Sequence, residues 1–179
     1  RRVVSIGWDI ETIYPFKSNL FIGSMSGMYI FSVANPDNPV QTGSFTHARS
    51  CDPVVADDEH AFITLRSGSA CQGFSNQLDV VNVKNTFSPF FIKTYQLNNP
   101  HGLSKDGDLL FICDGNAGLK IFNAADVYNI KQIQTIDLKG TFDVIARAGL
   151  AIIVADDGIY QYDYSDLNNI RLISKILIT

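Results

Sequence analysis

The sequence predicts an all-β fold, a β-propeller of four-stranded antiparallel blades. Three observations carry that expectation. A twelve-residue segment occurs four times, a second matched segment precedes each copy, and no stretch shows a helical period.

The first segment is MYIFSVANPDNP, Met28 to Pro39. It aligns without gaps with LDVVNVKNTFSP from Leu78, LKIFNAADVYNI from Leu119 and IYQYDYSDLNNI from Ile159. Each copy opens on an apolar residue and carries a polar one at its fifth place: Ser32, Asn82, Asn123 and Asp163. A turn-rich stretch and a second apolar strand follow, VQTGSF, FFIKTY, KQIQTI and RLISKI.

Upstream, ETIYPFKSNLFIGS from Glu11 matches DPVVADDEHAFITL from Asp52 and HGLSKDGDLLFICD from His101. The fourth copy, DVIARAGLAIIV from Asp143, aligns if its central turn is two residues shorter. Both halves alternate β-branched or aromatic residues with Asp, Asn, Gly and Ser, so each unit reads as four strands, A to D. One such sheet cannot bury both of its faces, so neighbouring units must pack on it.

The predicted blades cover residues 11–47, 48–98, 99–140 and 141–179, as one propeller domain or part of one. Residues 1–10 resemble a D strand and are expected to complete another blade. That makes the chain a fragment of a propeller with at least five blades; a four-bladed ring with an idle N-terminal strand is the competing reading. Blade 2 departs from its siblings. Phe62 and Leu78 stand 16 positions apart, where the other blades use 7 or 8, and the insertion falls between strands B and C.

Composition narrows the function. The net charge is −4 with no basic cluster, so no nucleic-acid partner is expected. The longest apolar stretch, residues 150–155, falls far short of the roughly 20 residues of a membrane-spanning helix. The start at RRVVSIGW, without Met, suggests a processed or truncated chain whose targeting segment has been lost.

The strand pattern LDVVNV at Leu78–Val83 and the NPDNP turn at Asn35–Pro39 resemble the LVIVD-repeat proteins. RSCDPV (Arg49–Val54), TLRSG (Thr64–Gly68) and NPHGL (Asn99–Leu103) are similar to its lipoprotein members from Bacteroidetes. The resemblance covers essentially the whole chain. It implies a cell-envelope location, as an outer-membrane lipoprotein whose lipid anchor lies outside this chain, and an envelope protein as partner. It implies no settled activity.

In a propeller the A strands line the central channel, and the D–A and B–C loops emerge on one face. The alignment puts Glu11, Asp52, His101 and Asp143 at one position, the start of strand A. Such a partial ring could hold a hard cation or hydrogen-bond a glycan. Equally, each carboxylate could cap the amides of its own loop. The B–C loops add Ser24, Arg66, Asp114, Asp156 and Asp157 to that face, and the D–A loops add His47 and Arg49. An arginine there either pairs with those carboxylates or grips an anion. His47 and His101 read as hydrogen-bonding residues more readily than as acid–base catalysts.

Cys51 opens strand A of blade 2, and Cys71 sits in the inserted loop on the same face, so a disulfide is expected; two reduced thiols are the alternative. It would stabilise by about 3 kcal/mol in a chain-entropy treatment. Cys113 reads as a buried small hydrophobe. No nucleophile elbow, phosphate loop or zinc spacing occurs. Taken together, the sequence predicts a non-catalytic interaction platform for a protein or glycan, without a cofactor. A ligand- or metal-binding propeller, or a carbohydrate-active enzyme using the carboxylates, is the alternative.

Overall fold

A computed structural model describes residues 3, 10–47, 53–68 and 73–178. The described strands form four antiparallel sheets of four. The first holds β1 (Ile10–Phe16), β2 (Asn19–Ser24), β3 (Gly27–Ser32) and β4 (Val40–Thr46). The second holds β5 (Val54–Ala56), β6 (His60–Leu65), β7 (Gln77–Asn82) and β8 (Phe90–Gln96). The third holds β9 (Leu103–Asp106), β10 (Leu109–Cys113), β11 (Leu119–Asn123) and β12 (Lys131–Ile136). The fourth holds β13 (Thr141–Arg147), β14 (Leu150–Ala155), β15 (Gly158–Asp163) and β16 (Arg171–Leu177). Within each sheet the strands pair in chain order. This is the meander of a propeller blade, as the repeats predict. Of the expected outer strand at residues 1–10, Val3 lies in no regular element and Ile10 opens β1; the rest lies outside the described residues.

The chain divides into two compact units, residues 1–94 and 95–179. In the first, the inner strands β1 and β5 are neighbours. Phe21, Met28 and Ile30 of blade 1 bury against Val54, Ala56, Ala61 and Ile63 of blade 2. In the second unit β9 lies beside β13. Phe111, Cys113, Leu119 and Ile121 of blade 3 bury against Val144, Ala146, Ala151 and Ile153 of blade 4. In each unit large side chains from one sheet fill the space over small ones from the next, which is how two twisted sheets approach closely.

The repeated polar position has one local purpose. The side chains of Asn82, Asn123 and Asp163 accept the N–H two residues on, at 2.9–3.2 Å. Three residues later Asn35, Asn85, Asp126 and Asp166 do the same at 2.9–3.1 Å. Each then closes a backbone turn, as in Asn38 N–H to Asn35 O at 3.0 Å. The turn between strands C and D is thus written by side chains that mimic backbone acceptors. It is the same in all four blades.

Glycine marks the start of strand C in three blades. At Gly118, φ is +87°, and a Cβ would stand 2.5 Å from the Ile136 carbonyl oxygen of the outer strand. Only glycine lets the two backbones approach so closely there.

Blades 3 and 4 are also tied by polar contacts. Asp106, at the tip of the β9–β10 hairpin, accepts the buried Tyr164 hydroxyl at 2.7 Å and the Ala148 N–H at 2.9 Å. Burial and this carboxylate push the Tyr164 hydroxyl's pKa well above the usual phenol range.

Candidate functional site

The register revises the expected ring. Phe16 pairs with Asn19 in blade 1 and Asp106 with Leu109 in blade 3, so Glu11 and His101 are equivalent. In blade 4 Arg147 pairs with Leu150 across an equally short turn, Ala148–Gly149. No residue is missing from that turn. The pairs Thr12–Gly23 and Asp143–Val154 are therefore equivalent, and the residue matching Glu11 is Phe142. The alignment that shortened the turn put Asp143 one place out. Since side chains alternate across a strand, one place turns a residue to the other face. Glu11 and Phe142 each sit in the β-bulge that opens their inner strand.

The other expected site residues distribute as follows. In the first unit Glu11 is exposed, and His47 and Arg66 are half-buried in the loops after β4 and β6. The His47 ring lies 6.3 Å from that of Phe45. Asp52, Arg49, Cys51 and Cys71 lie outside the described residues, so the expected disulfide does too. Around the inserted loop, Ser67 donates both its N–H and its hydroxyl to Asn76 Oδ1, at 2.9 and 3.1 Å. Cys113 is a buried free thiol whose pKa burial raises.

The second unit brings His101, Asp114 and Asp143 into one neighbourhood, but in different roles. Asp114 is fully buried. Its carboxylate accepts the Asn99 N–H at 2.7 Å, the Asn98 N–H at 3.0 Å and the Asn98 side-chain amide at 2.8 Å. Lys120 reaches it from strand C at 2.5 Å. Burial pushes the Asp114 pKa up, but the hydrogen bonds from Lys120, Asn99 and Asn98 outweigh it and leave the value below the usual carboxylate range. Asp114 is therefore the brace of the loop entering blade 3. Sequence reasoning placed it correctly and gave it a ligand-binding role that these four donors occupy.

Asp143 packs on backbone. Its carboxyl fills the space where a side chain on Gly102 would go. The residue as a whole is exposed, yet the water its carboxyl loses against Gly102 raises its pKa. One hydrogen bond from the Val144 N–H, at 2.9 Å, offsets part of that rise.

Above this brace lies an open cleft of about 190 Å³, lined by Asn99, His101, Asn116, Thr141, Phe142 and Asp156 with Gly115 and Gly140. Asn99 Nδ2 stands 3.1 Å from His101 Nε2. The His101 ring meets Phe142 edge to face, centroids 5.2 Å apart and planes at 89°. Thr141 is buried and donates its hydroxyl to the Gly115 and Gly118 carbonyls at 3.2 and 3.3 Å. The Asp156 N–H donates to Gly140 O at 3.0 Å, which fixes the far wall. The cleft thus offers amides, an imidazole, a carboxylate and a half-exposed aromatic ring on a rigid frame. Asn99, Asn116 and Phe142 were absent from the residues singled out by sequence. An asparagine in a polar loop carries no motif, and Phe142 emerges only once the blade 4 register is known.

Among the described residues, no three His, Cys, Asp or Glu side chains converge so as to hold a metal ion. Nor is any helix there long and apolar enough to cross a membrane.

The fold and cleft define the class, a β-propeller with a polar cleft on its loops. No protein-family model matches the chain, and no curated protein does. Solved structures do. AztD from Citrobacter koseri aligns over 93% of this chain and 46% of its own, at 14% identity and a TM-score of 0.66. A Lactobacillus plantarum protein aligns over 95% and 55%, at 13% identity and a TM-score of 0.74. A chain in the S. cerevisiae complex of dbp5 bound to nup159, gle1, ip6 and adp aligns over 94% and 47%, at 10% identity and a TM-score of 0.58. At such identities the likeness concerns fold alone. The present chain spans about half the length of these solved chains.

Proposed function

We propose that this chain is a non-catalytic recognition module of the cell envelope, whose cleft over blades 3 and 4 takes a glycan. The observation that carries this reading is the composition of the cleft. An exposed aromatic ring beside amides, an imidazole and a carboxylate matches the chemistry of a sugar, which presents apolar C–H faces rimmed by hydroxyls. The volume, about 190 Å³, lies below the roughly 300–1,000 Å³ of drug-sized sites and suits a single ring of an oligosaccharide. Catalysis of glycoside transfer needs two carboxyl groups poised across one bond. Here Asp114 is consumed as a brace and Asp143 leans on Gly102, which favours binding over turnover. The envelope setting rests on the resemblance to LVIVD-repeat lipoproteins, as does membrane attachment through a lipid anchor outside this chain.

A protein partner is the second reading. It rests on the resemblance to LVIVD-repeat lipoproteins, which implies an envelope protein as partner. Propellers present loops on a rigid frame and suit either task.

A glycan array probed with the wild-type chain and with Asn99→Ala/Phe142→Ala tests the first reading. Binding to a defined oligosaccharide that drops at least tenfold in the double variant is the expected result. Binding that the substitutions leave unchanged, or no binding to any glycan, would overturn it. In the second case, capture of a single envelope protein in a way that depends on Phe142 would establish the protein-partner reading.

A further inference from the structure

The four turns between strands C and D differ in one backbone group. At the residue just before strand D they carry Pro39, Pro89, Ile130 and Ile170. The two prolines have no N–H to satisfy. Ile130 has one, and the hydroxyl of Tyr95 meets it. That hydroxyl accepts the Ile130 N–H at 3.0 Å and donates to the Val127 carbonyl at 2.7 Å. Tyr95 stands six residues beyond Pro89 and opens the second unit, to which all these contacts belong. Blade 3 thus seats a phenol in its turn.

Blade 4 has the same turn without the phenol. Six residues beyond Ile130, the strand beside this turn carries Ile136 where Tyr95 stands after Pro89. Gln134 of that strand donates to the carbonyl of Leu167, the counterpart of Val127, at 3.1 Å. The Ile170 N–H meets no acceptor among the described residues. A backbone donor is rarely left without a partner in a folded chain. Around it lies an open groove of about 400 Å³, whose walls include Ile136, Asp137, Tyr162, Asn168, Asn169 and Ile170. That volume falls within the roughly 300–1,000 Å³ of ligand sites. The Asp137 carboxylate and the side-chain amides of Asn168 and Asn169 make no hydrogen bond to a described residue.

We propose that this groove docks an exposed tyrosine of a partner protein, its phenol taking in blade 4 the place that Tyr95 takes in blade 3. The Leu167 carbonyl keeps a second lone pair, so the phenol can accept from Ile170 and donate to Leu167 as Tyr95 does in its own seat. Ile136 and Ile170 give the ring apolar walls. Asn168 and Asn169 donate and accept as peptide groups do, and Asp137 accepts, which suits the main chain flanking the ring. The groove shares no lining residue with the cleft beside Phe142, and its role stands whether or not that cleft takes a glycan.

Amide-detected NMR titration with a blocked Gly-Tyr-Gly tripeptide, its Gly-Phe-Gly analogue and methyl α-mannoside tests this. The tyrosine peptide should shift Asp137, Tyr162, Asn169 and Ile170 saturably and leave Asn99 and Phe142 unmoved. The phenylalanine peptide lacks the hydroxyl and should bind about fivefold more weakly. Ile136→Tyr supplies the phenol from within and should weaken the tyrosine peptide at least tenfold. Asp137→Ala/Asn169→Ala should weaken it about fivefold with the wild-type circular dichroism spectrum, and decides alone if Ile136→Tyr does not fold. No saturable shift with the tyrosine peptide would overturn the proposal. So would equal affinity for the phenylalanine peptide, a groove that takes only methyl α-mannoside, or an affinity that no folded variant lowers.

Discussion

The Asp114 carboxylate accepts the backbone N–H of Asn99 at 2.7 Å from a fully buried position. Through it, the end of strand B in blade 3 holds the loop that supplies the cleft with Asn99 and His101. Lys120 completes the arrangement, 14% exposed and 2.5 Å away. Removing one partner of a buried ion pair leaves the other charge uncompensated, which costs about 3–5 kcal/mol. Asp114→Ala is expected to lose about that much in urea-induced unfolding. Asp114→Asn should lose less, because an amide oxygen still accepts from Asn99. Asp114→Ala/Lys120→Met should recover part of the loss. Equal stability of Asp114→Ala and wild type would remove the brace from the account.

Acid should uncover the same carboxylates. Asp114 lies below the usual carboxylate range, and Asp163 is drawn to about 2 by the Ser165 hydroxyl and N–H and by Arg171. A carboxyl whose folded value lies below its unfolded one, near 3.9, stabilises fully above that pH. The contribution is lost as pH falls through the folded value. Asp143 has the opposite sign: its raised value favours folding while it is protonated, and that gain fades as pH rises through the folded value. Thermal melts should therefore be nearly flat from pH 7 to 5 and fall below about 4. Asp163→Asn should make that fall shallower, and Asp143→Asn should not lower stability at pH 7.

The repeat glycines separate backbone strain from close approach. Gly107 has φ +58° and open space around it, whereas Gly118 has φ +87° and the Ile136 carbonyl in the way. Gly107→Ala is expected to cost about 1 kcal/mol, the price of the left-handed conformation alone. Gly118→Ala must also push strand D away from strand C, so it should cost clearly more, about 2–4 kcal/mol. Chemical denaturation of the two variants checks the order. Equal losses would mean that strand D simply yields.

The fold was legible because the sequence repeats its own instructions. Asn35, Asn85, Asp126 and Asp166 each open the same side-chain-capped turn, so turn chemistry alone fixes where strand C ends. The blade 4 hairpin was less legible. Ala148 adopts φ +49° in a two-residue turn, a conformation that its sequence does not advertise. Without that turn, Asp143 slides into the place of Phe142. Asp114 was visible as a polar residue between strands B and C, but its partners Asn98, Asn99 and Lys120 come from other strands and loops. Burial that separates a brace from a ligand contact arises only in the folded chain.

The central claim is that the cleft beside Phe142 is the recognition site. Its most direct test is an amide-detected NMR titration of the chain with envelope-type oligosaccharides. The account predicts saturable shifts clustered at Asn99, His101, Asn116 and Phe142, abolished in Phe142→Ala while the remaining spectrum stays unchanged. Saturable shifts centred elsewhere on the chain, or shifts that persist in Phe142→Ala, would contradict it.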